Sequence, residues 1–371
     1  MAIIIFLIIL SALVLVHEAG HFFVAKYFGI RVDEFGLGYP PKAKKLFSWR
    51  GTDFTLNWLP FGGFVKIFGE NPEAFVPGES EIPRGDTSGT YKGVSSGKSF
   101  QDKNRGIQSA VLVSGVIGNF IFAWFLISLG FMIGMPTPEG FSLPITNSHT
   151  VITEVVPNSP AQLAGLKSGD TIVSFSELSD ISPDAIMKFI NESTKPIEIT
   201  ISRGAETLTK TISSKEGIVE GKRAIGIGMD KVGIAKLSFG NSIIEGFKFT
   251  AELTKATAVA LGSFILSAFV GQADLSQVTG PIGLVGVVGD VSALGFVYLI
   301  SLTALISINL AIINLLPFPA LDGGRLLFVI IETIRRKAIP VKVFNAMNNI
   351  GFGILIILML LVTFRDIVHL I

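Results

Sequence analysis

The chain has no cysteine, and only four histidines, four tyrosines and three tryptophans among 371 residues. Without cysteine there is no disulfide framework, and any bound metal must be held by histidine and carboxylates. Charge is scarce as well: 16% of residues are Asp, Glu, Lys or Arg, against 49% hydrophobic. That balance excludes an ordinary soluble domain and describes an integral membrane protein. The net charge of +1 gives no sign of a nucleic-acid partner, and none is expected.

What is present first is a set of long apolar runs. Hydropathy predicts four transmembrane helices, at residues 1–28, 106–136, 292–338 and 345–366. The first is expected to be retained, because no basic segment precedes its apolar run and no small-residue cleavage site follows. Residues 256–270 are apolar but short, and Lys248, Glu252 and Lys255 stand just before them. The region 240–291 is therefore expected to hold an amphipathic interfacial helix and a loop, not a fifth span. Loop 29–105 carries eleven Lys and Arg against nine Asp and Glu, and the stretch 325–342 carries five against one. The segment 135–291 carries twelve against sixteen. The positive-inside rule puts the first two in the cytoplasm and the long segment outside, with both termini outside.

Two of the four histidines stand in His17-Glu18-Ala19-Gly20-His21, an H-E-x-x-H motif inside the first apolar run. Positions i and i+4 share a helix face, so both imidazoles can address one ion, and Glu18 is placed as a general base on water. With histidine this rare, such a match arises by chance in roughly one chain in several hundred. A structural polar cluster between helices is the alternative, but ionisable residues at membrane depth are costly and mark function. A catalytic site needs a third protein ligand. Asp322 is the candidate, at the end of Asn314-Leu315-Leu316-Pro317-Phe318-Pro319-Ala320-Leu321-Asp322-Gly323-Gly324. The two prolines must interrupt a helix there, and broken helices are tolerated at membrane depth where they line a polar cavity. Alone, Asp322 would read as an Asp-Gly turn. Beside H-E-x-x-H it reads as a ligand, with both segments at similar depth, roughly 5–15 Å inside the cytoplasmic face.

Residues 30–68 alternate Phe54, Leu56 and Trp58 with Thr55 and Asn57, a β pattern, and Gly62-Gly63 permits a tight turn. Residues 69–100, rich in Gly, Pro, Ser and Glu, read as a flexible linker. Residues 150–232 hold short β runs. Within them Ser159–Asp170 has the spacing S-P-A-x-x-A-G-L-x-x-G-D, which resembles the PDZ domains of bacterial envelope proteases.

H-E-A-G-H on the first helix, N-x-x-P-x-P-x-x-D-G-G on the third and a PDZ domain between them resemble the site-2 protease family, in its RseP-type bacterial branch. The resemblance covers nearly the whole chain. It includes Phe61-Gly62-Gly63-Phe64-Val65-Lys66, similar to a G-G-[YF]-V-K segment. It also includes Ser114-Gly115-Val116-Ile117-Gly118-Asn119, similar to a G-P-x-x-N element, with Val116 in the proline's place. Many family members carry two PDZ domains; here there is room for one. The resemblance implies a polytopic α-helical membrane protein of about four transmembrane helices, with a membrane-associated β segment and one extracytoplasmic PDZ domain. It would lie in a bacterial inner membrane with its active site near the cytoplasmic side.

The resemblance further implies zinc held by His17, His21 and Asp322, with Glu18 as catalytic base and then acid. Asn314 would be catalytic, donating to the developing oxyanion. Asn309, Gly62, Gly63 and Val65 would bind substrate. The expected partners are single-span transmembrane proteins such as anti-sigma factors or remnant signal peptides, membrane lipid, and a peptide ligand of the PDZ domain. Two other classes compete. A catalytically silent PDZ scaffold is expected to have lost Glu18, which is present. A metal or proton transporter needs more polar residues along its spans than Asn119, Asn309 and Asn314.

Overall fold

The computed structural model describes residues 1–70, 98–141, 143–204, 206–219, 222–272 and 278–370. The linker expected at 69–100 lies, but for its ends, outside the described residues. In chain order come helix α1 (Ala2–Tyr27), strands β1 (Val32–Trp49) and β2 (Thr52–Ile67), and helix α2 (Arg105–Ile133). Next are β3 (Met135–Pro138), β4 (Ile145–Val155), α3 (Pro160–Leu163), β5 (Thr171–Phe175) and α4 (Pro183–Glu192). They are followed by β6 (Ile197–Arg203), β7 (Glu206–Ile212), β8 (Lys215–Val219), β9 (Lys222–Ala224) and β10 (Ile227–Ala235). The chain closes with α5 (Phe239–Phe269), α6 (Pro281–Leu294), α7 (Phe296–Leu315), α8 (Asp322–Arg335) and α9 (Val341–Leu370).

Two compact units share these elements. The first is Met1–Leu126, Thr250–Val291 and Leu302–Ile371; the second is Ile127–Phe249 and Ser292–Ser301. Among the described residues five helices are long and apolar enough to cross a membrane: α1, α2, α5, α7 and α9. The fifth beside the four expected spans is α5, where an interfacial helix was expected; it is one continuous helix of 31 residues that joins the charges before Ala256 to the apolar run after them. The expected third span, 292–338, is not one helix either. α7 ends at Leu315, and after Pro317 and Pro319 the chain turns through Ala320 at φ 77° before α8 starts.

In the first unit β1 and β2 form their own sheet. β1 pairs antiparallel with the end of β2, from Val32↔Ile67 to Leu37↔Gly63. Glu34–Leu37 also meet Asp53–Leu56, so they are flanked on both sides, and among the described residues Gly63–Ile67 lie at an edge. The sheet grips α1 through Phe22, whose ring stands 5.5 Å from Phe35 and 5.6 Å from Phe54. Phe22, Ala25, Val32, Ile67, Val111 and Val329 belong to one buried cluster that ties α1, this sheet, α2 and α8 together.

In the second unit β3, β10, β4, β5, β6 and β7 form a sheet in that order. Ile152, Ile172, Phe175, Ile186, Ile197, Ile199 and Ile201 fill its core. The S-P-A-x-x-A-G-L-x-x-G-D run earns its spacing here. The Ser159 hydroxyl accepts from Gln162 N at 3.3 Å and caps α3, with Pro160 in the first turn. Gly165 and Gly169 adopt φ of 80° and 92°. Asp170 is buried and takes a two-pronged bond from Arg203, at 2.7 Å from both Nε and Nη2. The sheet begins at Met135 and ends at Ala235, wider than the 150–232 read from sequence.

Candidate metal centre

One turn apart on α1, His17 and His21 are both buried and turn to the same side. Asp322 opens α8 directly after the broken segment, and its carboxylate reaches them. Oδ2 stands 2.9 Å from His17 Nε2 and 3.3 Å from His21 Nε2, and the two Nε2 atoms are 3.2 Å apart. Donors around a tetrahedral zinc with ligands near 2.1 Å lie about 3.4 Å from one another. Two imidazoles and a carboxylate at these separations fit such an ion and leave a fourth position open. Beside them lies a cavity of about 240 Å³, lined by Val14, Glu18, Tyr39, Leu310 and Asn314 together with His17 and Asp322. Burial, and then the charge of Glu18, push the Tyr39 phenol above its usual range, so it stays a proton donor on the cavity wall.

Close helix contact makes this arrangement possible. A β-carbon on Gly20 would lie 2.8 Å from the Ser114 carbonyl carbon, and one on Gly118 would lie 2.9 Å from Val16 O. α1 and α2 thus touch backbone to backbone, as small residues allow between helices in lipid. Between those two contacts Gly115 faces the histidines, where a β-carbon would stand 2.7 Å from His17 Cε1 and 2.8 Å from His17 Nε2. α2 also steadies the rings. His21 Nδ1 lies 2.7 Å from Val111 O. A carbonyl can only accept, so that nitrogen carries the proton and Nε2 keeps its lone pair for a metal. Asn119, fully buried, stands 3.2 Å from His17 Nδ1 through its amide nitrogen.

The β edge comes next to Glu18. Gly62, at φ 69°, lets the chain pass over Val14, whose Cγ1 would be 3.3 Å from any β-carbon. Gly63 lies against Gly36 O at 2.8 Å on the same measure. Two residues on, Val65 N donates to Glu18 Oε2 at 3.0 Å. Beyond the strand, Glu70 is ion-paired to Arg325, one turn after Asp322 on α8. Arg105 pairs with Glu332 of the same helix at 2.7 Å.

His17, Glu18, His21, Asp322 and Asn314 therefore come together, and Gly62, Gly63 and Val65 lie alongside. Asn309 does not line the cavity. Five residues before Asn314 on a helix, it points about 140° away. Sequence reasoning missed Gly115 and Tyr39. The signal for Gly115 was available, as a small residue one turn before Asn119 in a segment already singled out; Tyr39 had none.

The chain matches the model for peptidase family M50 over residues 5–358. A protein of Clostridium perfringens that carries a zinc metalloprotease name is 34% identical, the alignment covering 99% of each chain. The zinc metalloprotease RasP of Geobacillus kaustophilus is 29% identical, covering 99% of this chain and 97% of its own. The regulator of sigma-W protease RasP of Bacillus subtilis is 30% identical, covering 98% and 97%. Among solved structures, a PDZ domain from Listeria monocytogenes is 20% identical over 24% of this chain, covering 93% of its own length, with a TM-score of 0.21.

Proposed function

The chain belongs to peptidase family M50, and from that premise we propose that it is an intramembrane zinc endopeptidase that cuts single-span proteins within or near their membrane segment. The observation that carries this reading is the convergence of His17, His21 and Asp322 on one point, with Glu18 on the wall of the adjoining cavity. Helices of spanning length and composition support its place in a membrane.

His17, His21 and Asp322 would hold the ion. When bound, zinc supplies a Lewis acid that polarises the scissile carbonyl and acidifies water. Glu18 takes the proton from the attacking water and later gives it to the leaving amine. Asn314 directs its amide N–H groups at the oxygen on which negative charge develops. A helical substrate hides its amides in its own hydrogen bonds, so it must unwind and extend before it can be cut. The Gly63–Ile67 edge offers it a strand to pair with. A substrate strand pairing there competes with Glu18 for the Val65 N–H, so docking frees the carboxylate it will need. The second unit, read as an extracytoplasmic PDZ domain, limits access to substrates already trimmed outside. Anti-sigma factors and remnant signal peptides are the substrate class this implies, in a bacterial inner membrane.

The test is cleavage of a tagged single-span protein by the purified wild type and Glu18→Gln, with the metal content of both. One zinc per chain in each, with turnover lowered roughly 10²–10⁴-fold by the substitution, is expected. No metal in either would return the chain to the scaffold reading.

A further inference from the structure

Resting on that zinc reading, we propose that Asn119 is the positioning residue that holds His17 in its metal-binding tautomer, through its side-chain oxygen. A neutral imidazole has one N–H and one lone pair. For His17 to ligate through Nε2, the proton must sit on Nδ1 and needs an acceptor. The group opposite Nδ1 is the Asn119 amide, 3.2 Å away and fully buried. Its Oδ1 is buried and has no hydrogen-bond partner among the described residues.

The two ends of a carboxamide are nearly isosteric, and a half-turn about Cβ–Cγ exchanges them. With nitrogen towards His17, the amide donates to a bare Nδ1, and Nε2–H donates instead to Asp322 Oδ2 at 2.9 Å. In that arrangement Nε2 carries the proton and has no lone pair to offer a metal. With oxygen towards His17, the amide accepts from Nδ1–H and Nε2 is free to ligate. Asparagine serves both states, since its amide carries a donor at one end and an acceptor at the other. His21 has no such choice, because its Nδ1 faces the carbonyl of Val111. The two histidines are therefore unequal: α2 fixes His21 permanently and sets His17 through a group that can turn. The backbone carbonyl of Asn119 is itself held by the Ser307 hydroxyl at 2.8 Å, which anchors the residue without restraining its amide.

The experiment measures zinc affinity of the full-length purified protein by competition with a chromophoric chelator. It uses wild type, Asn119→Leu, Asn119→Asp and Ser307→Ala, with melting of each metal-free form as the control for folding. Loss of the acceptor in Asn119→Leu is expected to weaken zinc about 10–100-fold. Asn119→Asp keeps an acceptor and should bind at least as tightly as wild type, and Ser307→Ala should change little. Nitrogen NMR of labelled histidine should show His17 Nδ1 protonated in the zinc form. Leucine binding within twofold of wild type, aspartate as weak as leucine, or an unprotonated Nδ1 each overturns the proposal. If Asn119→Leu does not fold, the aspartate variant and the NMR signal decide. Wild type that binds no zinc at all sinks the metal centre itself, a separate outcome.

Discussion

At Gly115 a single methyl group would intrude on the space shared by the two imidazoles, 2.7–2.8 Å from His17 and closer still to His21 Nε2. Gly115→Ala is expected to lose zinc while the metal-free protein still folds, because the added methyl meets only the two imidazole rings and not backbone. Metal content and melting of the apo form check this; a full complement of zinc in the variant would defeat it. The ligands were legible in the sequence because their chemistry resides in their identity: two histidines at i and i+4 with a glutamate between them, in a chain with two other histidines. Gly115 was not, since its meaning is a contact between two helices far apart in the chain. Asn309 shows the limit of identity alone: helical geometry turns it from the cavity that Asn314 lines.

Among the elements, the edge of β2 has the most to say about substrate. Val65→Pro removes the N–H that Glu18 now receives and that an incoming strand would use. Zinc content should stay at one per chain while turnover falls at least tenfold; undiminished cleavage would refute edge pairing. Two ion pairs bear on the same machinery. Glu70 with Arg325 and Glu332 with Arg105 tie α8, and with it Asp322, to the ends of β2 and α2. The β character of residues 30–68 was readable from alternation. The double flanking of Glu34–Leu37 was not, because register comes from partners and not from period. The extent of α5 was likewise hidden, because charges at Glu245, Lys248, Glu252 and Lys255 interrupt hydropathy without interrupting the helix.

For the whole molecule, helix directions constrain the path through the membrane. α1 and α2 run oppositely, since Gly20 meets Ser114 while Gly118 meets Val16. α5 is long enough to cross, but Glu245, Lys248, Glu252 and Lys255 all fall before its apolar run, and we propose that it lies at the interface. In this cysteine-free chain, cysteines placed at Gly240 and Gln272 should both react with an impermeant maleimide from one side of sealed vesicles; labelling from opposite sides would refute the assignment. The sheet of the second unit can be excised cleanly, because Leu237 N meets Phe131 O at 2.9 Å across its base. Joining Gly134 to Lys236 should keep zinc and admit a substrate with a bulky folded ectodomain; zinc-loaded protein that still refuses it would end the size-filter reading. The direct bond between His17 and Asp322 spans 305 residues of chain. At roughly 5–20 residues per second of synthesis, the third ligand leaves the ribosome a quarter of a minute to a minute after the first two. Throughout that interval the nascent protein holds a base and two histidines but no finished centre, so a cell that makes this enzyme is shielded from it until Asp322 has been made.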